Sequence, residues 1–458
     1  MNFYTKNSSK KVNTYLRHHR FATKDSTGLR LIVFSLVAML LLWPSYGEWK
    51  LSGVPNIAPP RLLKLILLTA LAYNFISIGI NFSRIYSRIK ANRILFICLF
   101  SFNFIQFITF SLDSQGSTWI YQLIKESLLG NILILFALLL VLRDADDVII
   151  IFKILVISSL GISLFSIFEF IQKENIFSTI VTNSNISTTM AFTDKTRDFG
   201  YRVSSSFIHP LVLAHYATCL LPIAVFLFKR STGFSCLIFA VACLGLILDV
   251  TLSSTRSGLA ILVISLIVIG LYLYSDWWRS ENNKIVKTLS LMLMLILMSA
   301  FFIIFENWFF TLINGRTLEE SKSTLVRLGE IKSAIPKILD SIFIGYGPTN
   351  ATTGVGLNRY FGSIVDNYYV LITLQSGVIA TFLLLICFFI PAINLFYQFK
   401  KSSSFSMKPL AALAISFSIF TSFQAVHALS DLFILFYILI ACFAVLNDSK
   451  VNANKNIK

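Results

Sequence analysis

A chain of 458 residues that is 56% hydrophobic and only 13% charged departs from soluble domains, in which charged residues make up about 25%. Lipid is its main solvent, and no stretch is left over for a separate soluble domain. The formal net charge of +17 would suggest nucleic acid in a soluble protein. Here Lys and Arg collect in short connections between apolar runs and no basic, aromatic module accompanies them, so nucleic acid is excluded as a partner.

In chain order, the basic segment 1–29 precedes the first apolar run. It looks like the n-region of a signal peptide, but the run is long and no small-residue cleavage site precedes Trp43-Pro44, so a retained cytoplasmic tail is expected. Apolar runs long enough to cross a bilayer, at roughly 20 residues each, predict helices near 30–46, 61–81, 93–112, 121–142, 148–170, 207–228, 234–252, 257–275, 286–305, 368–397, 409–428 and 430–446. The tenth is long enough to contain a break. The runs are apolar all round rather than alternating, which argues for helices and against a β-barrel. The expected architecture is an all-α polytopic membrane protein of about 12 transmembrane helices.

The predicted plan is a tail at 1–29, helices one to five over 30–170, and a first long loop at 171–206. Helices six to nine follow over 207–305, then a large loop at 306–363, helices ten to twelve over 364–446 and a tail at 447–458. Lys and Arg concentrate in alternate connections, such as Arg84, Arg88, Lys90 and Arg93, then Lys229 and Arg230, then Lys400, Lys401 and Lys408. By the positive-inside rule both termini are cytoplasmic and the two long loops lie at the outer face. The first loop is rich in Ser, Thr and Asn. The second carries a predicted helix near Leu318 to Leu339, followed by the turn-prone Gly345-Tyr346-Gly347-Pro348. Loops of this length are uncommon without a function. No internal repeat relates the two halves, which weighs against the plan of many secondary transporters.

The six cysteines, Cys98, Cys219, Cys236, Cys243, Cys387 and Cys442, lie in apolar runs without CxxC or Cys/His spacing. They read as core residues, with neither a disulfide framework nor a metal site, and no cofactor is expected.

Four outer segments hold the residues that could carry chemistry. The first runs from Arg202 through His209-Pro210 to His215. The second is the hairpin Ser253-Ser-Thr-Arg256-Ser-Gly258. The third pairs Arg327 in the loop helix with Gly345-Tyr-Gly. The fourth is Asp366-Asn367-Tyr368-Tyr369. A guanidinium between two apolar spans is costly unless paired or solvated, and its donor fork suits phosphate oxygens. Arg256 therefore stands out, although it could also snorkel to the interface or pair with Asp249 across the hairpin. Arg202 and Arg327 could complete a cationic pocket or be solvated loop charges. Asp366 could accept a proton from a sugar hydroxyl or cap the next helix. His209 and His215 read as a helix entry, and neither has the company of metal ligands. His427 and Asp431 could close a short outer turn.

This ordered set resembles the O-antigen ligase and O-antigen polymerase superfamily of bacterial envelope glycan enzymes. The likeness runs from about Tyr201 to Leu385. It rests on Arg202-x(4)-Phe207-x-His209-Pro210-x-x-x-Ala214, on the Ser-Ser-Thr-Arg-Ser-Gly hairpin, on the Arg327 helix with Gly345-x-Gly347, and on Asp366-Asn-x-Tyr369. The resemblance implies a multi-pass protein of the bacterial plasma membrane that performs metal-independent, inverting glycosyl transfer at the outer face. The donor would be a glycan on undecaprenyl diphosphate, and the partners would be membrane lipids and, in some systems, a chain-length regulator. It further implies that Arg256, with Arg202 or Arg327, holds the diphosphate and that Asp366 activates the acceptor hydroxyl. His209, Asn367 and Tyr368 would line the substrate site. Ligases of the superfamily carry histidine where this chain has Asp366, which tilts the expectation toward a repeat-unit polymerase. The alternatives are a ligase and, outside the superfamily, a secondary transporter or lipid-linked glycan flippase.

Overall fold

The computed structural model describes residues 27–44, 47, 59–77, 82–179, 196–197, 200–280, 283–293, 306, 318–351, 365, 367–399 and 430–455. These residues are mostly helical, and their only strands are a two-residue antiparallel pair, Thr196–Arg197 with Gly200–Tyr201. Six described helices are long and apolar enough to cross a bilayer: Arg93–Ser111, Gly116–Val141, Ala145–Gln172, Pro210–Arg230, Phe234–Leu252 and Tyr368–Ile390. Thr27–Leu42, Arg256–Leu271 and Leu432–Asp448 are shorter apolar helices. The chain is thus a multi-pass helical membrane protein. Of the remaining predicted spans, the second coincides with Pro59–Ser77, the ninth is described only at 284–293, and the eleventh lies outside the described residues.

Pro210–Arg230 is the axis of the bundle. In its apolar window 83% of residues are buried, against 28% for Phe234–Leu252, so the first is surrounded by protein and the second presents most of its surface outward. That matches a helix apolar on every face, which is stable only when enclosed. Its start is set by Pro210 at the first position, where a missing N–H costs nothing, and by His209 Nδ1 accepting from the Leu211 amide at 3.1 Å. Ala145–Gln172 begins in the same way, with Asp144 Oδ1 accepting from the amides of Asp146 (3.0 Å) and Asp147 (3.1 Å).

Three departures from regular helix shape the bundle. Between the predicted second and third spans lies a separate amphipathic helix, Phe82–Ala91. Gly116–Val141 starts five residues before the predicted 121 and contains a π-helical stretch, Ile124–Ile132. The wider turns of that stretch re-aim side chains relative to an α-helix. Tyr368–Phe399, within the tenth predicted span that is long enough to contain a break, is broken at Gly377 (φ 82°, ψ 171°).

The break explains itself through hydrogen bonds. An unbroken helix would join the Val378 amide to the Leu374 carbonyl, and in lipid neither can be left unpaired. Here Val378 donates to the Ile342 carbonyl at 2.8 Å, and Leu374 accepts from the Tyr346 amide at 2.7 Å. The segment 342–346 takes over both halves of the lost bond. It must lie against the backbone to do so, and glycine permits the approach: a Cβ on Gly345 would stand 2.6 Å from the Leu374 carbonyl oxygen, and one on Gly377 would collide with Phe343.

Candidate functional site

The site is built at one end of the bundle, beginning with Glu169. Its carboxylate, buried near the end of Ala145–Gln172, accepts from Tyr201 Oη (3.1 Å) and from the amides of Ser204 (3.2 Å) and Ser205 (2.6 Å). Asn175 Nδ2 adds a bond to the Ser205 carbonyl at 3.1 Å. These contacts fix the turn Arg202–Ser206, in which Ser205 takes a left-handed backbone (φ 54°). Positive φ is uncommon for serine and persists only where surrounding contacts over-determine it. The same segment is tied to the next hairpin by Val203 N donating to Leu252 O at 3.2 Å and by Arg202 Nε donating to Ser253 O at 3.2 Å.

The hairpin supplies Arg256. Ser253 Oγ bonds the Val250 carbonyl (2.7 Å) and lies 3.1 Å from Thr255 Oγ1, and Ser254 is again left-handed at φ 50°. Gly258 lets its helix press against Pro210–Arg230, since a Cβ there would fall 2.5 Å from the Ala214 methyl. Arg256 opens the helix Arg256–Ser280, a position where a cation opposes the helix dipole. Helix stability does not call for a positive charge there.

Arg256 Nη1 reaches Thr324 Oγ1 at 3.1 Å on the helix Leu318–Asp340. Thr324 and Arg327 are three residues apart and share a helix face. Arg327 and His209 both lie within electrostatic reach of His215, whose Nε2 is 3.4 Å from Ser257 Oγ. Arg202, Arg256, His209 and His215 therefore lie at the positive ends of Pro210–Arg230 and Arg256–Ser280, and Arg327 stands on the helix that meets Arg256 through Thr324. Guanidinium forks beside helix N-termini form an anion site. The expected alternative pairing of Arg256 with Asp249 is not made. Asp249 is turned into the bundle, where it accepts from Ser163 Oγ at 2.7 Å.

The fourth segment divides. Asp366 lies outside the described residues, as does His427. Asn367 is the helix cap: its Oδ1 accepts from the amides of Tyr369 (3.0 Å) and Val370 (3.2 Å). The capping duty read as the alternative for Asp366 is thus filled by its neighbour. Tyr368 is buried, with its ring edge-on to Phe433 at 5.4 Å, and lines a different cavity from the arginine cluster.

Sequence reasoning passes over Glu169, Thr324 and Asp113. A carboxylate retained inside an apolar run marks Glu169 as costly and so as purposeful. Asp113 sits in the turn after Arg93–Ser111 and receives the Gly345–Thr349 segment, accepting from the Thr349 amide (2.8 Å) and hydroxyl (2.5 Å). Trp119 Nε1 donates to the same Thr349 hydroxyl at 2.7 Å. Nothing in the sequence near Thr324 sets it apart from other loop threonines.

These features describe a multi-pass membrane protein with a cluster of cationic side chains at the ends of several helices. Residues 218–385 match the family model described as O-antigen ligase, a match that supports the resemblance to the O-antigen ligase/polymerase superfamily over that part of the chain. The match includes Arg256, Arg327, Asp366, Asn367 and Tyr368 and begins after Arg202, His209 and His215. No curated protein matches the chain.

Proposed function

We propose that the protein is a polymerase that joins oligosaccharide repeat units carried on undecaprenyl diphosphate, working at the outer face of a bacterial plasma membrane. The twelve-span topology, with both termini cytoplasmic and both long loops outside, is part of this reading. A hydroxyl oxygen of the acceptor sugar attacks the anomeric carbon of the donor glycan from the side opposite the diphosphate. The new glycosidic bond forms as the bond to the diphosphate oxygen breaks, with inversion. The hydroxyl proton passes to the Asp366 carboxylate, and undecaprenyl diphosphate departs with its added negative charge held by Arg256, Arg202 and Arg327. Preorganised cations aimed at a charge that grows in the transition state are among the strongest catalytic contributions, and a placed base aids the attack.

The observation that carries the reading is the convergence of Arg202, bonded to the Ser253 carbonyl, with Arg256, which reaches Thr324 on the helix that carries Arg327, within a chain whose 218–385 segment matches the O-antigen ligase model. The test is Arg256→Ala. Chain elongation should fall by at least about 100-fold while the amount of protein in the membrane stays constant. Polymer of normal length from that variant would refute the proposal.

A second reading, a transporter or flippase of lipid-linked glycan, is favoured by two specific features. The helix broken at Gly377 and the polar π-helical stretch near the middle of Gly116–Val141 are arrangements that transporters use. Reconstituted protein that moves lipid-linked saccharide across vesicles without joining units would decide for it. A ligase would instead need a glycan acceptor that is not itself lipid-diphosphate-linked.

A further inference from the structure

Apart from the arginine cluster, the bundle holds a polar cavity of about 200 Å³ between Arg93–Ser111, Gly116–Val141, Tyr368–Phe399 and Ser430–Lys455. Its walls include Trp119, Gln122, Glu126, Asn131, Tyr368 and Gln375. At its floor Asn103 Nδ2 donates to Tyr437 Oη at 3.2 Å, and Ser127 Oγ donates to Asn103 Oδ1 at 2.5 Å. Asn103 is the eleventh residue of a 19-residue span, so the floor lies about 15 Å along it from Arg93, at 1.5 Å per residue. A polar cavity that deep among apolar helices is not a packing solution, because each amide placed there, such as the buried Gln106, is costly, while Gln122 and Glu126 stand on its exposed side.

The π-helical stretch is what opens it. Ile124–Ile132 carries Glu126, Ser127 and Asn131, and Glu126 is held by Gln122 Nε2 donating to Oε1 at 3.3 Å. The rim is just as organised, since Asp113 and Trp119 both hold Thr349 and Pro348 lines the opening. Tyr368, on the cavity wall, is two residues from Asp366.

The lining identifies the ligand class. Amides and hydroxyls offer donors and acceptors together, Trp119 offers an apolar face, and the one acidic side chain named on the wall, Glu126, repels phosphate. That is chemistry for a neutral polyol ring, and a cavity of about 150 Å³ is already known to seat a six-membered ring. We infer that this cavity is a carbohydrate subsite that seats one sugar of the acceptor glycan, apart from the arginine cluster that holds the donor's diphosphate. The inference rests on the proposed polymerase reading. It adds that the two halves of the reaction are recognised by separate sets of helices.

The experiment uses purified full-length protein in proteoliposomes. Its probes are the repeat-unit lipid extracted from the cells' own membranes, the oligosaccharide released from that lipid by mild acid, and undecaprenyl diphosphate. Gln122→Leu and Glu126→Leu should each raise KM for the repeat-unit lipid about tenfold, the change falling on KM rather than kcat, and should leave inhibition by undecaprenyl diphosphate as in the wild type. An unchanged KM in both variants would overturn the inference.

A binding readout independent of activity accompanies this. Maleimide labelling of Asn131→Cys should be slowed at least about threefold, by occupancy, when the released oligosaccharide is added, but not by undecaprenyl diphosphate. Protection by undecaprenyl diphosphate alone would assign the cavity to the lipid and overturn the proposal. Protection by oligosaccharide in a protein that does not polymerise would leave the subsite standing and remove the polymerase reading.

Discussion

Two polar regions share this bundle and are made of opposite materials. Around Ser253–Arg256 the working groups are guanidinium and imidazole, presented at helix ends and held by backbone turns with left-handed serines at 205 and 254. Between Arg93–Ser111 and Gly116–Val141 they are amides, hydroxyls and aromatic rings, presented from helix flanks opened by π-helical turns. A diphosphate needs permanent positive charge in a fixed fork. A sugar needs mixed donors and acceptors beside an apolar face. On the proposed function, the contrast would let one membrane bundle tell the two ends of a glycolipid apart.

The two regions are mechanically joined at Gly377, and that joint is where the largest effect is expected. Segment 342–346 connects the Arg327 helix to the break, and the other side of the break leads to Tyr368 in the cavity wall. Gly377→Val forces a side chain into backbone at φ 82° and against Phe343. Left-handed strain of about 1–3 kcal/mol adds to the steric overlap, and the total should exceed about 4 kcal/mol. Protein recovered from membranes should fall several-fold on immunoblots, with both polymerisation and oligosaccharide protection lost together. Normal accumulation with only one activity lost would show that the regions are not coupled there.

Next in size is Glu169→Gln, which strikes the cationic region alone. The amide keeps the shape but turns a donor toward the Ser204 and Ser205 amides, leaving at least one of them unpaired at about 1–3 kcal/mol. The Arg202 turn should relax, and polymerisation should drop by about 30-fold with the loss in kcat. Labelling of Asn131→Cys should be protected by oligosaccharide as before. Equal loss of protection would merge the two regions into one site.

What the sequence discloses depends on which forces are local. The spans are written in composition, and the helix at Leu318–Asp340 in charge pattern, so both are legible. The arginines are legible because a charge near lipid is expensive wherever the chain runs. Glu169, Thr324 and Asp113 reach partners far along the chain, as in Glu169 with Tyr201 at a separation of 32 and Asp113 with Thr349 at 236, and no local rule announces such a partner. The π-helical stretch is equally silent, because Ile124–Ile132 has no residue that an α-helix would refuse. Asp366 reads as base or cap from type alone, and only the bonds of Asn367 show where the cap lies.

The smallest effect is expected at the cavity rim, and it carries a pH signature. Burial acts to raise the Asp113 pKa, but the hydrogen bonds from the Thr349 side chain, the Gln115 and Thr349 amides and Ser114 outweigh it, leaving the carboxyl below its ordinary value. The folded protein binds that proton less tightly than the unfolded chain. The stabilisation is therefore complete above the unfolded pKa and disappears as pH falls through the depressed folded value. Asp113→Asn should cost roughly 1–2 kcal/mol at neutral pH and should flatten the acid limb of a thermal-stability curve measured in detergent between pH 6 and about 3. KM for the repeat-unit lipid should rise slightly while inhibition by undecaprenyl diphosphate stays put, because the Thr349 dock borders the sugar cavity and not the arginines. An acid limb as steep in Asp113→Asn as in the wild type would locate the titrating group elsewhere and detach the rim from the cavity it frames.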